Sequence, residues 1–164
     1  MKYETSRELP PLPRGRKDPA LDTTKHMILI VDDDMDNLVM LSLELQSVGY
    51  RVLTVSNGAE AVATAALAHP DLILMDISMP IMDGLEAARK IRADPAMTEI
   101  PIVAVTAFET DGFRRAAYDV HMEGYLTKPI DFDRLHLLIA RLLTKTSGPE
   151  ADSEVNRVAH TRKA

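Results

Sequence analysis

Five short apolar runs alternate with five amphipathic stretches between residues 27 and 144, and this alternation predicts most of the secondary structure. Each run is four or five residues long and is followed by a polar residue, which is typical of a buried strand. The predicted strands cover residues 28–31, 51–55, 72–75, 102–105 and 124–127.

The amphipathic stretches carry apolar residues three or four positions apart, the spacing that places side chains on one face of a helix. In the first stretch Leu38, Leu41 and Leu45 form this stripe, and Gly49 provides a stop signal. The second stretch is rich in alanine and follows Asn57. Two further helices are predicted at 84–93 and 110–120. The last predicted helix precedes residue 145, and its apolar stripe consists of Phe132, Leu135, Ile139 and Leu142.

Strands that are apolar on both faces and alternate with helices form parallel sheets covered by helices on both sides. The five strand–helix units therefore predict an α/β fold, a doubly wound five-stranded parallel sheet with five helices. The crossover connections are expected to be right-handed. Ligands of such folds lie beyond the carboxyl ends of the strands, so functional side chains are expected there.

The length of 164 residues fits one domain with additional residues at both ends. Residues 1–26 are rich in proline and charge and show no strand or helix period, which predicts a disordered extension. The periodic domain covers residues 27–144, and the loss of the apolar pattern predicts a flexible tail at 145–164.

The composition excludes several kinds of site. The chain has no cysteine, so disulfides, zinc–thiolate sites and cysteine nucleophiles are excluded, and nothing indicates an oxidising compartment. No apolar stretch reaches the roughly 18 residues of a transmembrane helix, and the N-terminus lacks the apolar segment of a signal peptide. We therefore expect a cytoplasmic protein without membrane insertion.

The formal net charge of -6 is unevenly distributed along the chain. Residues 1–26 contain six basic and four acidic residues, and residues 145–164 contain four and three. The region between them holds the other 9 basic and 18 acidic residues, a net charge of -9. An acidic domain disfavours direct nucleic-acid binding, which needs a basic surface, and favours a cation as ligand.

Charged and hydroxyl side chains follow four of the predicted strands. Three aspartates occupy residues 32–34, Asp76 follows the third strand, Thr106 the fourth and Lys128 the fifth. Because clustered carboxylates repel one another, they must bind either protons or a cation at neutral pH. Magnesium accepts one or two carboxylates together with phosphate oxygens, and a threonine hydroxyl and a lysine ammonium both bind phosphate. The set therefore indicates a phosphoryl-transfer site.

Four sequence runs carry a resemblance to a known family: ILIVDDD at 28–34, LMDISMPIMDG at 74–84, VTA at 105–107 and GYLTKP at 124–129. Over residues 27–144 the chain resembles the CheY-like receiver domains of bacterial two-component response regulators. The resemblance implies a flavodoxin-like, doubly wound sheet with strand order 2-1-3-4-5.

By this resemblance Asp76 is the phosphoacceptor, which takes a phosphoryl group from a phosphohistidine. The implied Mg²⁺ ligands are Asp32, Asp33, Asp76 and the backbone carbonyl of Ser78, with Mn²⁺ as an alternative ion. Thr106 and Lys128 are the implied phosphoryl-binding residues.

The resemblance also assigns a conformational switch to Thr106 and Tyr125, in which the aromatic ring turns inward after phosphorylation. Ser78 and Phe108 occupy the positions that tune the phosphoryl lifetime, and we hypothesise that the Phe108 ring restricts attacking water. The Lys128–Pro129 peptide bond is expected to be cis. Residues 120–123 depart from the small-residue turn of the family, which leaves the geometry before the fifth strand open.

The implied partners are a histidine kinase or histidine phosphotransfer protein as phosphodonor and a protein as downstream target. The 20 residues after residue 144 are too few for an output domain, so we expect a stand-alone receiver that signals by contact. Enzymatic activity is expected only in its own phosphorylation and dephosphorylation. Homodimerisation through the last helix, the fifth strand and the preceding helix is left open.

Two alternatives from other functional classes use the same residues. A haloacid-dehalogenase-type phosphohydrolase would use Asp32 as nucleophile and Asp34 as acid, but it needs a second acidic pair at a strand end, whereas Asp131 and Asp133 stand at a helix start. A receiver-like interaction module would keep the site residues and work without phosphate.

A calcium-binding loop is a weaker alternative. Asp32, Asp34 and Asp36 alternate as in an EF-hand, but Asn37 and Leu43 stand where that loop needs glycine and glutamate. The sequence therefore does not support an EF-hand.

Overall fold

The computed structural model describes residues 22–146, which form a five-stranded parallel sheet with helices on both faces. The strand order is β2-β1-β3-β4-β5, as expected for a doubly wound sheet. The strands are β1 Met27–Val31, β2 Arg51–Val55, β3 Leu72–Met75, β4 Ile102–Thr106 and β5 Gly124–Thr127. The helices are α1 Met35–Ser47, α2 Gly58–Ala68, α3 Gly84–Ala93, α4 Asp111–Asp119 and α5 Phe132–Thr146.

The sheet separates two apolar cores, because alternate residues of each strand point to opposite faces. Leu29, Ile73 and Ala104 pack on one face with α2, α3 and α4. Ile28, Leu72 and Val103 pack on the opposite face with α1 and α5. The three central strands are buried except for the half-buried Met27 at the start of β1, which explains why they read as continuous apolar runs.

Three helices begin at capping side chains that accept a backbone N–H of the first turn. Asp34 caps α1, Asn57 caps α2 and Asp83 caps α3. These caps fix the point at which the chain leaves the carboxyl edge of the sheet and turns into each helix.

The predicted disorder of residues 1–26 is wrong for its last five residues. Thr23–Lys25 form a short 3₁₀ helix capped by Asp22, and the Thr23 hydroxyl donates to the carbonyl of Val48 at 2.8 Å. The amide of Arg51 donates to the carbonyl of His26 at 3.0 Å, so this segment extends the β1–β2 pairing. Residues 1–21 lie outside the described part of the chain.

The C-terminal boundary also differs slightly from the prediction. Helix α5 continues through Thr146, two residues beyond the end of the predicted domain, and residues 147–164 lie outside the described residues. Strand β2 is not apolar on both faces, because Arg51 and Thr54 are exposed at the edge of the sheet. Within residues 22–146 no helix is long and apolar enough to cross a membrane.

The turn before β5 has a specific anchor in place of small residues. The Arg92 guanidinium donates to both carboxylate oxygens of Glu123 at 3.0 Å and to the carbonyls of His121, Thr98 and Ile100. Glu123 also accepts the amide of Ile102 at 2.7 Å. This partly exposed ion pair therefore joins the end of α3, the start of β4 and the turn.

Candidate functional site

Four strands deliver one polar side chain each to the same edge of the sheet. Asp32 follows β1, Asp76 follows β3, Thr106 ends β4 and Lys128 follows β5. Because the strands are parallel, these positions are neighbours in space although they are far apart in sequence. Asp32 is only 2% exposed and Asp76 only 7%, although aspartate is rarely buried. Thr106 is completely buried.

Three carboxylates converge at this edge. Asp32, Asp33 and Asp76 each present an oxygen, and these oxygens lie within 4.8 Å of one another. Asp33 is exposed while the other two are buried, so the cluster opens to solvent on one side. Hard oxygen donors with an open side suit a magnesium ion, which binds one or two carboxylates and keeps several waters. The residues present therefore fit this ion.

Lys128 lies between the two buried carboxylates. Its ammonium group is 2.6 Å from Oδ2 of Asp32 and 2.9 Å from Oδ2 of Asp76, and its side chain is 18% exposed. One positive charge therefore faces two buried negative charges. This leaves net negative charge in a desolvated position, which is the electrostatic condition for recruiting a cation.

The pKa values of the pair shift in the same direction. Burial raises the pKa of the Asp76 carboxyl, and the contacts with Lys128 oppose this only in part because the ammonium is shared with Asp32. Burial acts to lower the pKa of Lys128, but the hydrogen bonds to both carboxylates outweigh it, and the pKa is raised. Lys128 is therefore a permanent positive charge, whereas Asp76 binds protons more readily than an ordinary aspartate.

Backbone amides orient the two buried carboxylates. The Asp34 amide donates to Oδ1 of Asp32 at 2.9 Å, and the Ser78 amide donates to Oδ1 of Asp76 at 3.2 Å. In both residues Oδ2 faces Lys128. The Asp76 carboxylate is thus held by one contact on each oxygen, and the open side of the cluster stays accessible.

Thr106 and the β5 loop complete the edge. The Thr106 hydroxyl accepts the amide of Phe108 at 3.4 Å, and its carbonyl accepts the amide of Lys128 at 2.9 Å. The Lys128–Pro129 peptide bond is cis. The hydroxyl is fully buried and forms a single long hydrogen bond within the described part of the chain, so it retains capacity for a further partner.

A family model for the response regulator receiver domain matches residues 28–140. The chain belongs to this family. The match includes every residue of the polar edge described above. It also favours the receiver interpretation over the hydrolase alternative, which needs a second acidic pair at a strand end. Asp131 instead lies at the start of α5, where its side chain accepts the amide of Arg134.

This chain matches a small part of some relatives and most of others. The response regulator PleD of Caulobacter vibrioides is 41% identical over 104 residues, which are 63% of this chain and 23% of PleD. The polar-differentiation response regulator DivK of Brucella ovis is 36% identical over 107 residues, 65% of this chain and 87% of DivK. The chain therefore spans under a quarter of PleD but most of DivK.

A solved structure supports the same fold assignment. The receiver domain of the sensor histidine kinase PA1611 from Pseudomonas aeruginosa is 36% identical, with a TM-score of 0.69 over 73% of this chain and 98% of that one. That structure is described with a magnesium ion coordinated in its active-site cleft. The CheY-like, flavodoxin-like fold predicted for the receiver domain is confirmed.

Tyr125 of the receiver domain takes the inward position. The residue is 4% exposed, and its hydroxyl donates to the carbonyl of Phe108 at 2.6 Å. Burial raises the pKa of this hydroxyl, so it is a neutral donor at physiological pH. The guanidinium carbon of Arg114 lies 5.0 Å from the ring centroid, within the range of a cation–π contact.

Two contacts near the site follow from tertiary packing and not from the sequence pattern. Phe113 stacks on Phe108 with ring centroids 4.4 Å apart, and Arg114 covers Tyr125. The Phe108–Phe113 stack borders a groove of about 190 Å³ that also contacts Ser78 and Met79. Phe113 and Arg114 both lie on α4. The helical period predicts that Phe113 is on the apolar face, but it does not predict which loop the side chain contacts.

Proposed function

We propose that the receiver domain accepts a phosphoryl group on Asp76 and that this event changes its contacts with other proteins. A phosphoryl-acceptor role in two-component signalling fits the family. The observation that supports Asp76 as the acceptor is its position: a buried carboxylate, paired with Lys128 and adjacent to two further carboxylates at the open edge of the sheet.

Asp32, Asp33, Asp76 and the Ser78 carbonyl would hold Mg²⁺, or Mn²⁺ in its place. When bound, the ion neutralises negative charge on the transferring phosphoryl group. The magnesium ion named for the PA1611 receiver structure supports this choice of metal. The acidic cluster, in which the Lys128 ammonium balances only part of the charge of three carboxylates, gives the same indication from this chain alone.

The chemical step needs little from the protein beyond positioning. An oxygen of the Asp76 carboxylate forms a bond to phosphorus while the phosphorus–nitrogen bond of the donor's phosphohistidine breaks, and the imidazole leaves with that electron pair. The Lys128 ammonium, held 2.9 Å from Asp76, stabilises the charge on the phosphoryl oxygens. The Thr106 hydroxyl provides a hydrogen bond to the same group.

We infer that Thr106 and Tyr125 form the switch. A phosphoryl group adds nearly two negative charges and three strong acceptors beside Thr106. If its hydroxyl turns toward these acceptors, it gives up the 3.4 Å contact with the amide of Phe108, the residue whose carbonyl holds Tyr125. The Tyr125 ring already lies inward with its hydroxyl bound there, so we expect phosphorylation to shift an existing balance further toward this position.

The expected partners are a histidine kinase or a histidine phosphotransfer protein and a downstream protein target. We further infer that the chain acts in the cytoplasm, does not bind nucleic acid directly, and is not an enzyme for external substrates. The net charge of -6 supports the second point, since phosphate backbones require basic surface.

Phosphorylation of the full chain with a small phosphodonor tests the proposal. The chain is incubated with the donor in the presence of Mg²⁺ or of a chelator, and the modified residue is located by mass spectrometry of proteolytic fragments. We expect incorporation only with Mg²⁺ and only on Asp76. Label on Asp32 would instead indicate the hydrolase alternative, and absence of label would indicate the phosphate-independent module.

Magnesium affinity is expected to fall as the pH is lowered. Because burial raises the pKa of Asp76, protons compete for this carboxylate at a higher pH than for an ordinary aspartate. Below that pKa the dissociation constant should rise by about tenfold for each pH unit, since one proton must leave. Isothermal titration calorimetry at a series of pH values measures this. The Asp76→Asn variant should show a flatter profile, and an equal pH dependence in both proteins would contradict the assignment.

Phe108→Ala is expected to shorten the phosphoryl lifetime by about threefold or more, because removing the ring opens a path for water beside the site. Loss of label after removal of the donor gives the rate. Leu137→Ala is the matched control, since Leu137 is an exposed apolar side chain on α5. Equal lifetimes in the Phe108 variant and the wild type would show that the ring does not restrict water.

A further inference from the structure

A groove of about 310 Å³ lies between α4, β5 and α5, away from the carboxylate cluster. Tyr125 contributes to its floor, and Tyr118, Leu137 and Arg141 contribute to its rim. Leu137 is 74% exposed and Tyr118 is 49% exposed, so the groove combines accessible apolar surface with charge.

The charge of this groove is positive. Glu123 lies at one end, but its carboxylate is bound by Arg92 at 3.0 Å. Arg134 and Arg141 also line the groove and are exposed, and within residues 22–146 neither guanidinium forms an ion pair with a carboxylate. Two basic side chains without acidic partners thus flank the exposed Leu137 in a domain that is acidic as a whole.

The chain itself contains an acidic segment of matching spacing. Glu150, Asp152 and Glu154 alternate with small or apolar residues, so in an extended conformation all three carboxylates point to one side. They span about 13 Å at roughly 3.3 Å per residue. Arg134 and Arg141 are seven residues apart on α5, which is about 10.5 Å along the helix axis.

The connection is also long enough. Helix α5 ends at Thr146, and Arg141 lies about 7.5 Å back along its axis. Four residue steps lead from Thr146 to Glu150, a reach of up to about 13 Å in extended chain. Gly148 and Pro149 are residues that stop helices and favour a change of chain direction.

We propose that residues 150–154 of the same chain dock in the α4–β5–α5 groove, with Glu150 toward Arg141 and Glu154 toward Arg134. The docked segment runs antiparallel to α5 and covers Leu137. It occupies a surface that includes Tyr125, so a protein that uses this groove must first displace it. The docking requires no phosphoryl group and stands independently of the function proposed for Asp76.

Paramagnetic relaxation enhancement in the unphosphorylated full chain tests the docking. The chain has no cysteine, so Ser153→Cys provides a single site for a nitroxide label. We expect strong broadening of the backbone amides of Glu123 and Leu137. Reversing the groove charge with Arg134→Glu and Arg141→Glu should weaken this broadening by about threefold, as should 1 M salt, which shortens the screening length to about 3 Å.

Matched variants make the result specific. Arg115→Glu alters an exposed α4 charge that does not line the groove and should leave the broadening unchanged. Replacing Glu150, Asp152 and Glu154 by arginine in the charge-reversed groove should restore it. The proposal is overturned if reversal has no effect, or if broadening arises between a labelled chain and a separate isotope-enriched chain, which would assign the groove to a second copy.

Discussion

Replacing Asp76 by asparagine is expected to abolish phosphoryl incorporation, lowering its rate by more than about 100-fold. The amide has nearly the same shape but lacks the nucleophilic carboxylate oxygen, and it removes one of the three carboxylates of the cluster. The measurement is the initial rate of label incorporation from a small phosphodonor at saturating Mg²⁺.

Asp36→Asn is the matched control for this prediction. Asp36 lies in the first turn of α1 close to the cluster in sequence, but it is exposed and is not one of the three converging carboxylates. Its replacement should leave the rate unchanged. Substantial incorporation by Asp76→Asn would show that another residue accepts the phosphoryl group.

The Asp76→Asn variant should also remain folded. Burial raises the pKa of Asp76, so the ionised carboxylate is disfavoured in the folded state, and a neutral amide avoids this cost. A raised folded-state pKa means that stability is lost as the pH rises through that pKa. The stability of the wild type relative to the variant should therefore decrease from acidic to neutral pH. Thermal denaturation of both proteins without metal measures this difference.

Gly84→Ala is expected to destabilise the fold by about 3 kcal/mol and to disturb the site. A β-carbon at Gly84 would overlap the backbone carbonyl oxygen of Asp76 and would lie 2.9 Å from Cγ of Met75. The first of these is a backbone atom at the end of the central strand, so it has no side-chain rotation by which to move away. Urea denaturation measures the loss, and phosphoryl incorporation should fall in the same variant.

Gly112→Ala provides the control on another helix. A β-carbon there would meet only the Thr110 hydroxyl, at 4.0 Å, and alanine favours helix over glycine by up to about 1 kcal/mol. This variant should be equally or more stable than the wild type. Similar losses in both variants would show that the close approach of α3 to Asp76 is not the cause.

Much of this structure is predictable because its signals are local. Each central strand is buried on both faces, so it reads as a continuous apolar run, and the polar residue that ends the run marks the edge of the sheet. Asp32 and Asp76 are found in this way, without knowledge of their distance. The family resemblance adds their roles, which remain predictions at the level of individual residues.

Other features depend on how elements meet, and sequence periodicity does not contain that information. The contact of Arg114 with Tyr125 joins α4 to β5, and the Arg92–Glu123 pair joins α3 to the turn before β5. The order of residues 22–26 depends on a hydroxyl contact with the end of α1. Each is a tertiary contact between segments that are individually unremarkable in sequence.

The position of Lys128 has a consequence for how the protein is made. Its partners Asp32 and Asp76 precede it by 96 and 52 residues, so both acidic groups leave the ribosome well before the ammonium that neutralises them. Strand β5, which places Lys128, is an edge strand that within residues 22–146 pairs only with β4. A nascent chain that has not yet added β5 carries Asp76 without the ammonium that pairs with it, so the polar edge is complete only once β5 has been made and has paired with β4.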